Sequence, residues 1–342
     1  MNLLLKLQIL IVFTFFGFAS ASIPAFGAES PPPSTPEVKE ASPTPETPSK
    51  PAETAESVPA SPPVPSPTRL GEYPSFTASG DISRFAGEKL YIDISFLWFK
   101  NAAKAEIGLY KNKDGSFYSI LQAETLGFVG FFTSYRKHVY RAEHQIIDGG
   151  KRLRTTRFVR EVTIADEVEK SINVMNYETR INKWYKFINE QLVSKGSREI
   201  PSDVQFDGIL AAFYNFRNGV YGPFKEGADY SIHTIPEKNT AEFKVHVLSA
   251  EERSTLSQIE GRPQNDGYAL RVTIPPEIFK TSNGELQFWS SKHLIPIETV
   301  VQDYFMLGDL HAKLNRREMN APIIEVRQLS APVAPKTETV TP

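Results

Sequence analysis

Apolar and polar residues alternate along most of the chain between residues 80 and 318. From Lys89 to Phe99, Leu90, Ile92, Ile94 and Phe96 alternate with Tyr91, Asp93 and Ser95. That period of two marks a strand with one buried face. Ala103 to Tyr110 continues the pattern, Asn112-Lys113-Asp114-Gly115 reads as a hairpin turn, and Phe117 to Thr125 returns. Tyr135 to Ile147 and Lys151 to Ile164 flank a second turn, Asp148-Gly149-Gly150. Val168 to Tyr177 and Asn182 to Ile188 are further strands. After a break come Asp229 to Ile235, Ala241 to Leu248, Tyr268 to Ile274, Leu286 to Ser290, Ile295 to Met306 and Leu310 to Leu314. Antiparallel sheets of about ten or more strands curl or close.

The break is Phe206 to Arg217. Phe206, Ile209, Leu210, Phe213 and Phe216 recur at helical spacing. Ser202 and Asp203 offer N-caps, and Asn218-Gly219 offers a stop. On this helix Ile209, Leu210, Phe213 and Phe216 face inward, and Asp207 and Asn215 face water. The predicted fold is mainly β, a β-rich α+β class. It is a strongly curved antiparallel sheet or half-barrel with one short helix on its concave side.

The ends of the chain change the picture of where it works. Lys6, an apolar run from Leu7 to Ala19 and the small-residue site Ala19-Ser20-Ala21 read as a signal peptide over residues 1–21. The run is short for a membrane span. Residues 22–79 read as a disordered linker, because thirteen of the 26 prolines lie between Pro31 and Pro67 and few large apolar residues accompany them. Residues 319–342 read as a disordered tail. The chain has no cysteine, so disulfides, thiolate chemistry and a lipobox anchor are not expected. With 38 basic against 40 acidic residues, the net charge of −2 points to no nucleic-acid partner. The expected location is a bacterial periplasm.

Candidate chemistry is sparse. The six histidines, His138, His144, His233, His246, His293 and His311, show no metal-binding spacing. His233 and His246 are the best pair if they face each other across a hairpin. No metal or cofactor is expected. Gly127 and Gly130 lack the setting of a phosphate loop. Glu285 with Glu298, or Asp93 with Glu106, could flank a glycosidic bond. The run Arg136, Lys137, Arg141, Lys151, Arg152, Arg154, Arg157 and Arg160 faces only Glu143 and Asp148. Arg136, Arg141, Arg152, Arg154 and Arg157 form a candidate anion-binding patch, or else the charged surface of a solvated hairpin. Leu126 to Phe132 carries no polar side chain and reads either as a core strand or as an apolar lip touching a cavity or a membrane. Leu210, Phe213, Tyr214, Phe216, Trp289, Phe128 and Phe131 are the candidate lining of an apolar ligand cavity.

Several segments resemble the DUF3108 family of exported bacterial proteins. They are Gly87-Glu88-Lys89-Leu90-Tyr91 with Asp93, Ala102-Ala103-Lys104-Ala105, Leu126 to Phe132, and the Asp207, Ala211, Tyr214 and Arg217 of the helix. Trp289, Pro296-Ile297-Glu298 and Gly308 to Leu314 complete the set. Where the family often has an acid after the tryptophan, this chain has Ser290-Ser291-Lys292-His293. The resemblance implies a curved antiparallel sheet similar to the half-barrels of periplasmic lipoprotein carriers, and it implies no catalytic residues.

These readings converge on a non-catalytic periplasmic binding or carrier protein for an amphiphilic or envelope-derived ligand, a lipid or a glycan. The alternatives are an envelope polysaccharide hydrolase and a structural adaptor that contacts the membrane or an envelope protein.

Overall fold

The computed structural model describes residues 80–235, 241–260, 267–275, 284–302 and 309–319. The expected signal peptide and linker, residues 1–79, and residues 320–342 lie outside the described residues. Among the described residues, no helix is long and apolar enough to cross a membrane.

The described chain forms one sheet of fourteen strands, all paired antiparallel with their neighbours. The first eight strands are β1 (Glu88–Phe96), β2 (Phe99–Lys111), β3 (Phe117–Thr125), β4 (Lys137–Ile147), β5 (Arg152–Ile164), β6 (Glu167–Asn176), β7 (Ile181–Ile188) and β8 (Gln191–Glu199). They form a simple meander. The second meander is β9 (Asp229–Thr234), β10 (Ala241–Val247), β11 (Tyr268–Thr273), β12 (Glu285–Ser290), β13 (Pro296–Val301) and β14 (Leu310–Glu318). It returns the chain to β1, where Ile94 sits opposite Ala312 and Phe96 opposite Leu310. The free edges are β8 and β9. Among the described residues, three α-helices accompany the sheet: α1 (Gly127–Phe132), α2 (Ile209–Arg217) and α3 (Ala250–Ile259).

The sheet is curled. β5 and β9 stand ten places apart in the strand order, which a flat sheet would spread over about 48 Å. Yet Asp207 touches both. Its N–H donates to the His233 carbonyl at 2.9 Å, and its carbonyl accepts from the Ile235 N–H at 3.2 Å, so it pairs with the end of β9. Its carboxylate accepts from Arg152 of β5 at 2.7 and 3.2 Å. Only a curl brings these strands within one side chain of each other. The core fills the concave side, where Leu90, Ile92 and Ile94 of β1 share one cluster with Phe158 of β5 and Leu270 of β11. β7 and β8 extend past this closure; β8 has no buried residue.

The predicted mainly β fold with a helix on the concave side is what the structure has, and five details differ. α2 begins at Ile209, because Phe206 and Asp207 are drawn into pairing beside β9. Its N-cap is Gly208, not Ser202 or Asp203, and Gly208 makes no side-chain cap bond. The strand β8 carries no clear alternation. The helix α3 follows a capping box, Ser249 with Glu252, and packs Leu256 against Leu248, Ala269 and Trp289 on the convex face. Finally, Leu126 to Phe132 is not a core strand. Gly130 N–H bonds the Leu126 carbonyl at 2.7 Å, and Thr133 closes the turn by donating to the Val129 carbonyl at 2.9 Å. This makes α1 a single helical turn or two with Phe128 and Phe131 exposed.

Candidate functional site, an apolar cavity under a stapled helix

With nine residues, α2 is too short to be stable alone. Contacts on every side hold it. Leu210 enters the main core, and Ala211 and Tyr214 pack with Ile82, Phe85, Leu109, Phe117 and Leu153. At its N-terminal end, Gly208 lies against Thr155 of β5 so closely that a Cβ at 208 would strike the threonine side chain. Its last turn ends at Asn218, with Gly219 at a φ of 74° that suits a glycine stop.

Two buried ion pairs staple the ends of α2. Before the first turn, Asp207 is fully buried and binds Arg152, and the Tyr221 hydroxyl donates to the same carboxylate at 2.5 Å. In the last turn, Arg217 reaches Glu88 of β1 with both terminal nitrogens, at 2.5 and 2.9 Å. Glu88 also accepts from Arg317 of β14 at 2.7 Å. The Arg217 Nε donates to the Leu294 carbonyl at 3.0 Å, and its guanidinium lies 4.6 Å from the Phe85 ring centre. Burial pushes the Glu88 pKa up, but the Arg217 charge and the hydrogen bonds from Arg217 and Arg317 outweigh it and hold the pKa below the usual value. Between the staples, Asn215 exchanges two 2.8 Å hydrogen bonds with the Leu153 backbone, like one more residue of a sheet ladder. The expectation that Asp207 and Asn215 face water is therefore wrong: both are fully buried.

The other side of α2 covers a cavity of about 110 Å³. Ile209, Ala212, Phe213, Phe216 and Arg217 form its roof. Its floor is the concave side of β9 to β12, with Ile232, Phe243, Val245, Leu270, Val272, Leu286 and Phe288, and Leu294 and Pro296 close one end. Among the described residues, Arg217 is the one ionisable residue of the lining, and its charge is already committed to Glu88.

Of the candidate cavity residues, Phe213 and Phe216 line this space. Leu210 and Tyr214 do not; they point into dense packing on the other sides of the helix. Trp289 is opposite Ala269 and lies under α3 on the convex face, because it alternates with the inward-facing Phe288. Phe128 and Phe131 stand in solvent on α1. The floor residues were not among the candidates, although the alternation Phe243, Val245 and Leu270, Val272 and Leu286, Phe288 carried the signal.

The arginines do not converge on one anion site. Arg152 is buried against Asp207, and Arg157 pairs with Glu143 at 3.1 Å. Arg154 donates to Gln145 at 3.1 Å and lies over Tyr177, and Arg141 lies over Tyr118. Arg136 is half-buried at the start of β4. The carboxylate pairs are likewise tied to local partners. Glu285 pairs with Arg271 and Glu298 with His311, while Glu106 pairs with Lys89 and Asp93 accepts from Asn315. His233 does not face His246. It sits opposite Glu242, and His246 bonds Asp229 at 2.8 Å and Glu252 at 3.2 Å.

Beside the helix's N-terminal end, His144 is buried between two hydroxyls, Ser119 at 2.7 Å and Thr155 at 3.1 Å. Burial lowers its pKa to about 3. The folded-state value lies below the unfolded one, so the contribution of neutral His144 is complete above about pH 6.5 and is lost as pH falls towards 3. Between pH 7 and pH 5 the loss is about 2 kcal/mol from this residue. Urea denaturation at the two pH values should show it, and His144→Gln should flatten the dependence. An unchanged slope in the variant would place the acid sensitivity elsewhere.

No family model and no curated protein matches the chain. The DUF3108 resemblance therefore has no support beyond the residues that suggested it. Among solved structures, the chain is similar to the crystal structure of a β-barrel-like protein of domain of unknown function DUF1849 from Brucella abortus. The match has 10% identity and a TM-score of 0.38, and covers 69% of this chain and 98% of that one.

Proposed function

We propose that this chain is a non-catalytic carrier, exported to the periplasm, that holds an apolar segment of an amphiphilic envelope ligand beneath α2. The observation that carries the reading is the cavity: an almost wholly apolar space roofed by a helix that is fixed at both ends. Apolar concavities with few polar groups suit apolar ligands. The volume of about 110 Å³ sets the scale. An engineered apolar cavity of about 150 Å³ accepts benzene, so the space suits a short stretch of one acyl chain. A larger lipid would need Phe213 and Phe216 to move aside. The hydrolase alternative has less support, since a glycosidase needs two carboxyl groups facing one substrate and the lining contains none among the described residues.

The test is a titration with a naphthylamine dye, followed by competition with fatty acids of increasing chain length. Dye emission should rise on binding and fall on competition. Val272→Phe, which fills the floor of the cavity, should weaken binding without unfolding the chain. Absence of dye binding, or binding unaffected by Val272→Phe, would count against the carrier reading. Release of reducing sugar from envelope polysaccharide would favour the hydrolase.

A further inference from the structure

We propose that the end of the sheet holding the β1–β2 turn and α1 docks onto a lipid bilayer. This inference rests on a different surface from the cavity and stands independently of the carrier reading.

Because every strand pairing is antiparallel, connections alternate between two ends of the sheet. α2 occupies the end that holds the β2–β3 and β4–β5 turns. The opposite end presents aromatic side chains to water: Trp98 is 77% exposed, Phe128 61%, Phe131 68% and Tyr135 61%. They belong to one patch. Ring centres run from Trp98 to Phe99 at 5.5 Å, to Phe128 at 5.6 Å, to Phe132 at 4.3 Å and to Phe131 at 5.5 Å. Tyr135 joins the patch by lying over Gly130, where a Cβ would meet its ring. Tight turns hold the display: Leu97, Ser134 and Tyr135 have φ values of 53°, 57° and 46°, the left-handed backbone that other turns of this sheet also use.

Size and shape select the occupant. Four rings of 150–250 Å² each, about two-thirds exposed, place roughly 400–650 Å² of aromatic surface in water. That is at or above the largest apolar patch of a typical monomer. It is below the roughly 800 Å² per partner of a stable protein interface, and the rings stand on a turn and a short helix, not on a broad face. Such a projection suits insertion between headgroups, where tryptophan and tyrosine are favoured. The charges around it nearly balance. Lys100, Arg136 and Lys137 flank the rings, Asp166 lies in the β5–β6 turn and Glu167 begins β6; that turn meets the segment just after α1 through the Ala165 N–H bond to the Ser134 carbonyl at 3.2 Å. Docking is therefore driven mainly by the rings and depends only weakly on salt or on anionic lipid.

The test uses the full chain with phosphatidylcholine vesicles whose acyl chains carry bromine, which quenches tryptophan that enters the bilayer. Trp98 reports on the patch itself, whatever other segment touches the vesicle. Emission should shift to the blue and be quenched, and Trp98→Phe should abolish most of that change, leaving Trp184 and Trp289 unaffected. Phe128→Ser with Phe131→Ser should weaken Trp98 quenching at least tenfold at fixed lipid, with the thermal transition unchanged. Three results would overturn the proposal. One is vesicle binding without quenching of Trp98. Another is binding that collapses in high salt but survives the serine substitutions. The third is a patch-dependent dimer by sedimentation with no vesicle binding, which would assign the rings to a second copy.

Discussion

Glu88→Gln should destabilise the folded chain by about 3–5 kcal/mol, the usual consequence of leaving one partner of a buried ion pair uncompensated. Arg217 would then hold its charge beside Phe85 and Tyr214, in a site where it is 3% exposed. Arg317 is a weaker contributor, since its side chain is about one-third exposed and can turn to water. Chemical denaturation measures the loss. The double variant Glu88→Met with Arg217→Met should recover much of it, because apolar replacement of a whole buried pair is often neutral or favourable. The two variants together separate two roles. If the double variant regains stability but no longer binds the dye, the pair's function is to place the roof of the cavity. If both variants lose stability equally, packing around the methionines has failed. If Glu88→Gln alone costs less than about 1 kcal/mol, the staple contributes little and α2 is held by apolar contacts.

The parts of this fold that were legible in the sequence are those decided by neighbours along the chain. Alternation from Leu90 to Phe96 marks β1, and helical spacing with Asn218-Gly219 marks the end of α2. The face of Trp289 was also legible, because Leu286 and Phe288 share the other parity; choosing residues by aromatic character instead of by parity put it on the wrong side. What could not be read depends on partners far away in the chain. Asp207 looks like a solvent-facing acid until Arg152 arrives from 55 residues before it, and Asn215 looks like a surface amide until the Leu153 backbone meets it from 62 residues before. Polar residues on a short helix carry no local mark of whether water or a strand end satisfies them. The same holds for the basic run. Charge spacing alone cannot distinguish arginines gathered around a ligand from arginines each engaged by its own neighbour, such as Arg157 with Glu143.

Leu210→Ala and Phe213→Ala should have opposite consequences, although the two side chains are three residues apart on one helix. Leu210 is fully buried within the main core cluster. Truncating it removes contacts on all sides and leaves a void, at a cost of about 2–5 kcal/mol, while the dye titration should be unchanged because Leu210 is not part of the cavity wall. Phe213 borders the existing cavity on one face and meets the rings of Tyr214 and the guanidinium of Arg217 on the other. Part of its surface already lacks dense packing, so truncation should cost less, below about 2 kcal/mol. It also enlarges the cavity. Affinity for an aromatic probe should therefore rise by about tenfold, which corresponds to 1.4 kcal/mol. Denaturation and titration on both proteins measure the four quantities. A large stability loss in Phe213→Ala with no gain in binding would mean that the space under α2 closes when it is widened. The helix would then be ordinary core, and the carrier reading would lose the observation on which it stands.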